Sequence, residues 1–259
     1  MLTLFIHSFQ SEWLKTRRSF ASWLVILGAL FIPILMFIVR IYRSELIARE
    51  VMKADFWESQ FINAWQSMSI FFLPMGVVLA TSLIAQLEFR NNSWKQLHTT
   101  PQPLTVIFFA KLSVILTMML QLFVLFNIGI YLVGIIPGFL YGASYPPQPF
   151  PFGYFIEKSM YSFIACLPIV ALQYLLSLQF KNFLIPLSAG LGLQVASLIA
   201  TSWKYGYTIP YAYSPLNFFQ QKGLMQPQEG VNIHCWASAY FVFFTAVSYV
   251  LYMYQKEKG

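Results

Sequence analysis

The side chains with chemistry to offer concentrate in one short stretch, Glu88-Phe89-Arg90-Asn91-Asn92-Ser93-Trp94-Lys95-Gln96-Leu97-His98-Thr99-Thr100-Pro101. It brings a carboxylate, two cations, a histidine, amides, hydroxyls and an indole together between two long apolar runs. An unpaired polar group in hydrocarbon costs several kcal/mol, so this island must stand at a membrane surface, open to whatever docks there from water. Its pattern suits docking. Trp94 and Leu97 are three apart and share a helix face, Lys95 and His98 present polar edges beside them, and Pro101 ends the helix. The other reading is an interfacial loop whose Trp94 anchors among headgroups. Glu88 either marks the membrane edge or pairs with Arg90, Lys95 or Lys111 and fixes the island against the next helix.

Elsewhere the chemistry is sparse. His7, His98 and His234 fall in different segments with no carboxylate at metal spacing, so no metal site is expected. No glycine-rich phosphate loop is present, so the chain itself hydrolyses no nucleotide. No apolar run carries an acid/base set, so catalytic residues are not expected either. Cys166 and Cys235 make no disulfide framework. Within the apolar runs only Gln121, Asn127, Gln173 and Gln194 stand out. Such amides serve either as interhelical hydrogen-bonding groups or as the polar lining of a substrate path.

These residues need elements to carry them, and composition names the class. Hydrophobic residues make up 58% of the 259 and charged residues 10%, with a mean hydropathy of +0.62. Soluble domains carry about a quarter charged residues, so this chain could not cover its surface in water. The expectation is an all-α integral membrane protein, one permease-like domain over 1–259. The formal charge of +7 flanks apolar runs and forms no patch, which argues against a nucleic-acid partner. About 20 apolar residues cross a bilayer. Charge-free windows place six spans at about 20–41, 67–88, 104–136, 158–180, 182–203 and 235–254. Pro137-Gly138 and the 146–151 proline cluster are expected to end the third. Between the first two spans, Glu45, Arg49, Glu50, Asp55 and Glu58 suggest a soluble amphipathic helix. Residues 1–19 read as an amphipathic helix lying in the interface, with Glu12, Trp13, Lys15, Arg17 and Arg18 at its end. Lys15-Thr16-Arg17-Arg18 before the first span places the N-terminus, and with an even span count the C-terminus, on the cytoplasmic side.

The island and the N-terminal helix carry a resemblance. Glu88 through Pro101, followed by Ile107-Phe108-Phe109-Ala110-Lys111-Leu112, resembles the segment between spans two and three of ABC-2 type exporter permeases. In that family an acidic residue closes span two, an "N-T/S-W-K-x-L" stretch leads to "T-P", and a lysine stands early in span three. Glu12-Trp13-Leu14-Lys15-Thr16-Arg17-Arg18 is similar to the family's interfacial helix. The resemblance implies a bacterial inner-membrane half-transporter that pairs with a second permease subunit, identical or related. A separate cytoplasmic ATPase subunit would hold ATP and Mg, and this chain would bind no cofactor. The matching positions for coupling to the ATPase are Glu88, Arg90, Asn92, Trp94, Lys95, Leu97, Thr100 and Pro101. The family also implies a re-entrant segment before span six, at about 205–233. Small six-span members are linked to export of, or self-protection against, peptide antibiotics (lantibiotic immunity) and lipophilic drugs. Neutral amides at depth suit an amphipathic peptide, a drug or a lipid-like cargo. The competing class is a non-transporting anchor or sensor subunit that recruits a cytoplasmic partner through the same loop.

The topology has a direct check. Single cysteines replacing Ser44 and Asn92 should react with an impermeant thiol reagent from opposite sides of the membrane, and same-side labelling would refute the arrangement.

Overall fold

A backbone amide in hydrocarbon is satisfied most simply inside its own helix, and the apolar runs of this chain fold accordingly. The computed structural model describes residues 2–90, 103–142, 145–226 and 230–254, and among them there is helix and connection but no strand. The order is α1 (Leu2–Arg17), α2 (Phe20–Tyr42), α3 (Ser44–Val51), α4 (Phe56–Ser67), a π-turn (Met68–Phe72) and α5 (Leu73–Arg90). After the island come α6 (Leu104–Leu140), α7 (Phe152–Gln179) and α8 (Leu184–Ala200). Two 3₁₀ turns (Gly206–Thr208 and Pro210–Ala212), α9 (Tyr213–Gln221) and α10 (Ile233–Tyr254) complete the chain. Among the described residues, five helices are long and apolar enough to cross a membrane: Phe20–Tyr42, Phe56–Leu87, Leu104–Leu140, Phe152–Gln179 and Ile233–Tyr254. Apolar α8 has 17 residues, about 25 Å of helix against a hydrocarbon core of about 30 Å.

The core forms where α6 packs on α2 and α1, while α7 runs along α10 and α5. Phe108, Phe126, Ile169 and Tyr174 sit in it fully enclosed. The α1–α2 junction is tied locally, because Ser19 Oγ donates to Thr16 O at 2.7 Å and satisfies one of the carbonyls left at the end of α1. Lys15 and Arg17 in the last turn of α1 suit its negative end.

The structure differs from the sequence expectation in two places. The 44–58 stretch is not a solvated helix. Ile47 and Val51 of α3 are buried, and α4 begins at Phe56 and runs through the π-turn into α5. The reason is a face that the charges mask. Phe56, Trp57, Gln60, Phe61, Ala64 and Trp65 recur at helical spacing and are buried, while Glu45 and Glu58 stay outside. Trp57 stacks on Tyr131 at 5.7 Å, meets Phe150 edge-on at 4.9 Å and donates from Nε1 to Gln148 O at 3.2 Å.

The second difference lies at Pro137. The helix does not break there but continues to Leu140. Proline has no N–H, so the carbonyl four residues back, Val133 O, loses its helical donor. Arg40, near the end of α2, replaces it. Its Nη1 donates to Val133 O at 2.9 Å, its Nη2 to Gln60 Oε1 at 2.8 Å, and its guanidinium lies 5.0 Å from the Phe56 ring centroid. One side chain thus ties α2, α4 and α6.

A double-mutant cycle tests this pairing. Arg40→Met should cost about 1–3 kcal/mol of stability in detergent, because it leaves Val133 O unpaired. Pro137→Ala restores the helical N–H, so the same Arg40→Met change in that background should cost at least about 1 kcal/mol less. Equal losses in both backgrounds would show that the arginine is not there for the proline.

Candidate functional site

The proline of α5 and the amides of α7 and α8 build an interior polar frame. Pro74 follows the π-turn closely and lacks an N–H, so the backbone ladder is one donor short beside Ser69 O and Ile70 O. Both find side chains from far along the chain. Gln194 Nε2 of α8 donates to Ile70 O at 2.9 Å, and Ser214 Oγ of α9 donates to Ser69 O at 2.7 Å. Gln173 of α7 is fully buried. Its Nε2 donates to Ser82 Oγ at 2.7 Å and Pro186 O at 2.8 Å, while its Oε1 accepts from the Tyr211 hydroxyl at 2.8 Å. The crossing is close at that point. A Cβ on Gly190 would fall 2.6 Å from both Gln173 Oε1 and Val78 Cγ1, so only glycine fits.

This frame receives the connection between α8 and α10. Residues 211–218 are all buried, an unusual condition for a connection. Gly206 lets the chain turn in tightly, since a Cβ there would meet Ala200 O at 2.2 Å. The connection then climbs α7. Tyr211 is bonded to Gln173, Asn217 Nδ2 donates to Ser162 Oγ at 3.1 Å, and Gln221 Nε2 donates to Lys158 O at 3.4 Å. Gln173 lies about 30 Å along α7 from Phe152 at a rise of about 1.5 Å per residue, so the connection enters the helical layer deeply. The family resemblance implied a re-entrant segment at about 205–233, and nothing in the sequence pointed to the hydrogen bonds that hold residues 211–221.

The other sequence-singled residues fall as follows. In α1, Ser8, Glu12 and Thr16 form the buried face, and Leu2, Leu4, Ile6 and Leu14 point outward. Glu12 is enclosed and accepts from Lys15 Nζ at 2.5 Å, whereas Arg17 and Arg18 are exposed. Trp13 is half-buried and stacks on Phe9 with ring centroids 6.3 Å apart. Gln121 is half-buried on α6. Asn127 lies apart from Gln173 and Gln194, hydrogen-bonded to Ser159 of α7. Helix α5 carries the backbone of Glu88 and Arg90, while Asn92, Trp94, Lys95, Leu97, Thr100 and Pro101 lie outside the described residues. Lys111, two turns into α6, is enclosed at 2% exposure.

A second feature is lateral. Between α6 and α7 lies a groove of about 500 Å³ with apolar walls that include Val124, Ile128, Ile156 and Met160. The Asn127–Ser159 pair stands within it, and Tyr131, Phe150 and Phe152 close one end.

The depth of the 206–221 connection can be tested through Cys166, which is fully buried and hydrogen-bonds with Ser214. In a Cys235→Ser background, Cys166 should resist N-ethylmaleimide. Removing two anchors with Tyr211→Phe and Ser214→Ala loses about 1 kcal/mol each, so the modification rate should rise roughly tenfold or more. An unchanged rate would mean the connection is held by something else.

Comparison with known proteins adds identity to this geometry. No curated protein and no solved structure matches the chain. The family described as ABC-2 family transporter protein matches residues 8–197, from within α1 to within α8, and includes the island. The chain is thus a multi-pass membrane protein that belongs to the ABC-2 transporter family.

Proposed function

We propose that this chain is the permease subunit of an ATP-driven exporter. The observation that carries the reading is the family match over 8–197, with the polar island inside it and joining the ends of α5 and α6. In this reading α8 is the sixth crossing and both termini are cytoplasmic, in a bacterial inner membrane. Two permease subunits, identical or related, form the pathway. A separate ATPase that binds ATP and Mg docks on each island. Trp94 and Leu97 fill a groove on that partner, and Lys95 and Arg90 flank it. Glu88 and enclosed Lys111 stand at the two helix ends that carry the island. The helices that meet there are long and continuous, so a displacement of the island moves α5 and α6 as rods.

The cargo of this proposal is amphipathic or hydrophobic, such as a peptide antibiotic, a drug or a lipid-like molecule. The support is electrostatic. The hydrogen-bonding side chains that join α5 to α8 are neutral amides and hydroxyls, and the enclosed cation Lys111 lies two turns into α6, toward its island end. Arg40 lies near a helix end and is held on Val133 O. A strongly charged solute would cross with little to offset its desolvation, while an apolar one entering from the bilayer would not face that cost. Self-protection against membrane-active peptides of the lantibiotic kind fits this chemistry.

Docking provides the test. Trp94→Ala should weaken capture of the partner ATPase by about 2 kcal/mol, roughly 30-fold. Leu97→Asp should weaken it further by placing a charge in an apolar contact. Both variants should still insert into the membrane. Unchanged capture in both would remove the island as the docking site. Intact docking without cargo-stimulated ATP hydrolysis would favour a non-transporting anchor.

A further inference from the structure

The lateral groove between α6 and α7 has no role in the frame that holds the α8–α10 connection. Its volume of about 500 Å³ falls within the range of about 300–1,000 Å³ typical of small-molecule sites. Its rim residues are large and outward-facing: Val124 and Ile128 on α6 are 57% and 49% exposed, and Ile156 and Met160 on α7 are 64% and 49% exposed. In a membrane-spanning chain that rim meets hydrocarbon, so an occupant enters sideways from the bilayer. No ionisable acid or base of the Asp, Glu, Lys, Arg or His kind lines the groove, which selects a neutral occupant.

The polar pair narrows the chemistry. Asn127 Nδ2 uses both of its hydrogens, on Phe123 O and on Ser159 Oγ, each at 2.9 Å. Among the described residues its Oδ1 accepts from Ser159 Oγ alone, at 3.3 Å, long for a hydroxyl donor. An amide oxygen has two lone pairs, so this one has accepting capacity left inside an apolar groove. A ligand hydroxyl or amide N–H meets that need, and an unfunctionalised hydrocarbon tail does not. The aromatic end formed by Tyr131, Phe150 and Phe152 is packed edge-to-face at 4.9 and 4.6 Å, which gives the groove a fixed stop.

We propose that this groove is a binding seat for a neutral single-chain amphipath, whose aliphatic tail lies between α6 and α7 and whose hydroxyl or amide N–H donates to Asn127 Oδ1. The seat deepens the export reading, on which its role as a first stop for cargo rests. Binding itself needs neither the ATPase nor transport.

The full-length chain in phosphatidylcholine nanodiscs provides the assay. The probe is an N-acylethanolamine with a diazirine and an alkyne in its chain, and the control is the acyl methyl ester of the same length. The ethanolamide should photolabel residues 120–131 and 152–163, and excess N-oleoylethanolamine should compete the label away. Ser159→Ala with Asn127→Leu should lower ethanolamide labelling about tenfold and leave the methyl ester unchanged. Val124→Trp, a change on the exposed rim, should block both probes without touching the polar pair. Label spread evenly over α2, α10 and the groove without competition would overturn the proposal, because the groove would then hold only bulk lipid. Disulfide formation between two Val124→Cys copies with no labelling would also overturn it, as a subunit contact. Competed labelling without ATP-driven movement of the same amphipath would keep the seat and remove the export reading. Movement without labelling would do the opposite.

Discussion

A carbonyl released by proline inside an apolar helix must find another donor, and the architecture of this chain turns on that requirement. In water the freed oxygen would be hydrated; in hydrocarbon it must be met by a side chain from elsewhere. Pro137 frees Val133 O, and Arg40 meets it. Pro74 removes one backbone donor at the π-turn, where Ser214 donates to Ser69 O and Gln194 to Ile70 O. Each of these bonds joins elements that the chain separates by 93, 145 or 124 residues. Removing a proline, or the donor that answers it, therefore loosens helix–helix registry as well as a local turn.

This requirement also explains which parts of the structure were legible in the sequence. The windows at 20–41 and 104–136 announce α2 and α6, because a charge-free apolar run has one way to satisfy its backbone. The sequence hides the start of α4 because Asp55 and Glu58 interrupt the apolar run, while in space Glu58 stays exposed and Phe56, Trp57 and Phe61 are buried. Pro137 looked like a helix end because its rescuer stands in another helix. Gln173 and Gln194 were visible as candidates from their isolation in apolar runs. Their partners were not, since no local pattern links Gln194 to Ile70. Asn127 resembled them in sequence, and only packing sets it apart, in a lateral groove beside Ser159. The island at 88–101 was the clearest signal of all, and most of it lies outside the described residues.

The family match and the anchoring pattern divide the chain at nearly the same place. The match ends at residue 197, just before the connection that holds Tyr211, Ser214 and Asn217. Those three bring the donors. Their acceptors are Gln173 Oε1, Ser69 O and Ser162 Oγ, all within the matched part. The matched helices thus provide a frame with prepared acceptors, and the later segment inserts into it. α5 connects the two ends of this arrangement. One end begins at the π-turn beside Ser69 O and Ile70 O, and the other runs to Arg90 at the island. An α-helix of 18 residues is stiff on the scale of side-chain packing, and it runs without a break from the turn that accepts from Ser214 and Gln194 to Arg90. The π-turn is the compliant point of that rod, because its wider hydrogen-bond pattern is already open and is completed by side chains that can part from it. The two ends of α5 thus differ in kind: one leads into the island, and the other is completed by two side-chain hydrogen bonds, from Ser214 and Gln194.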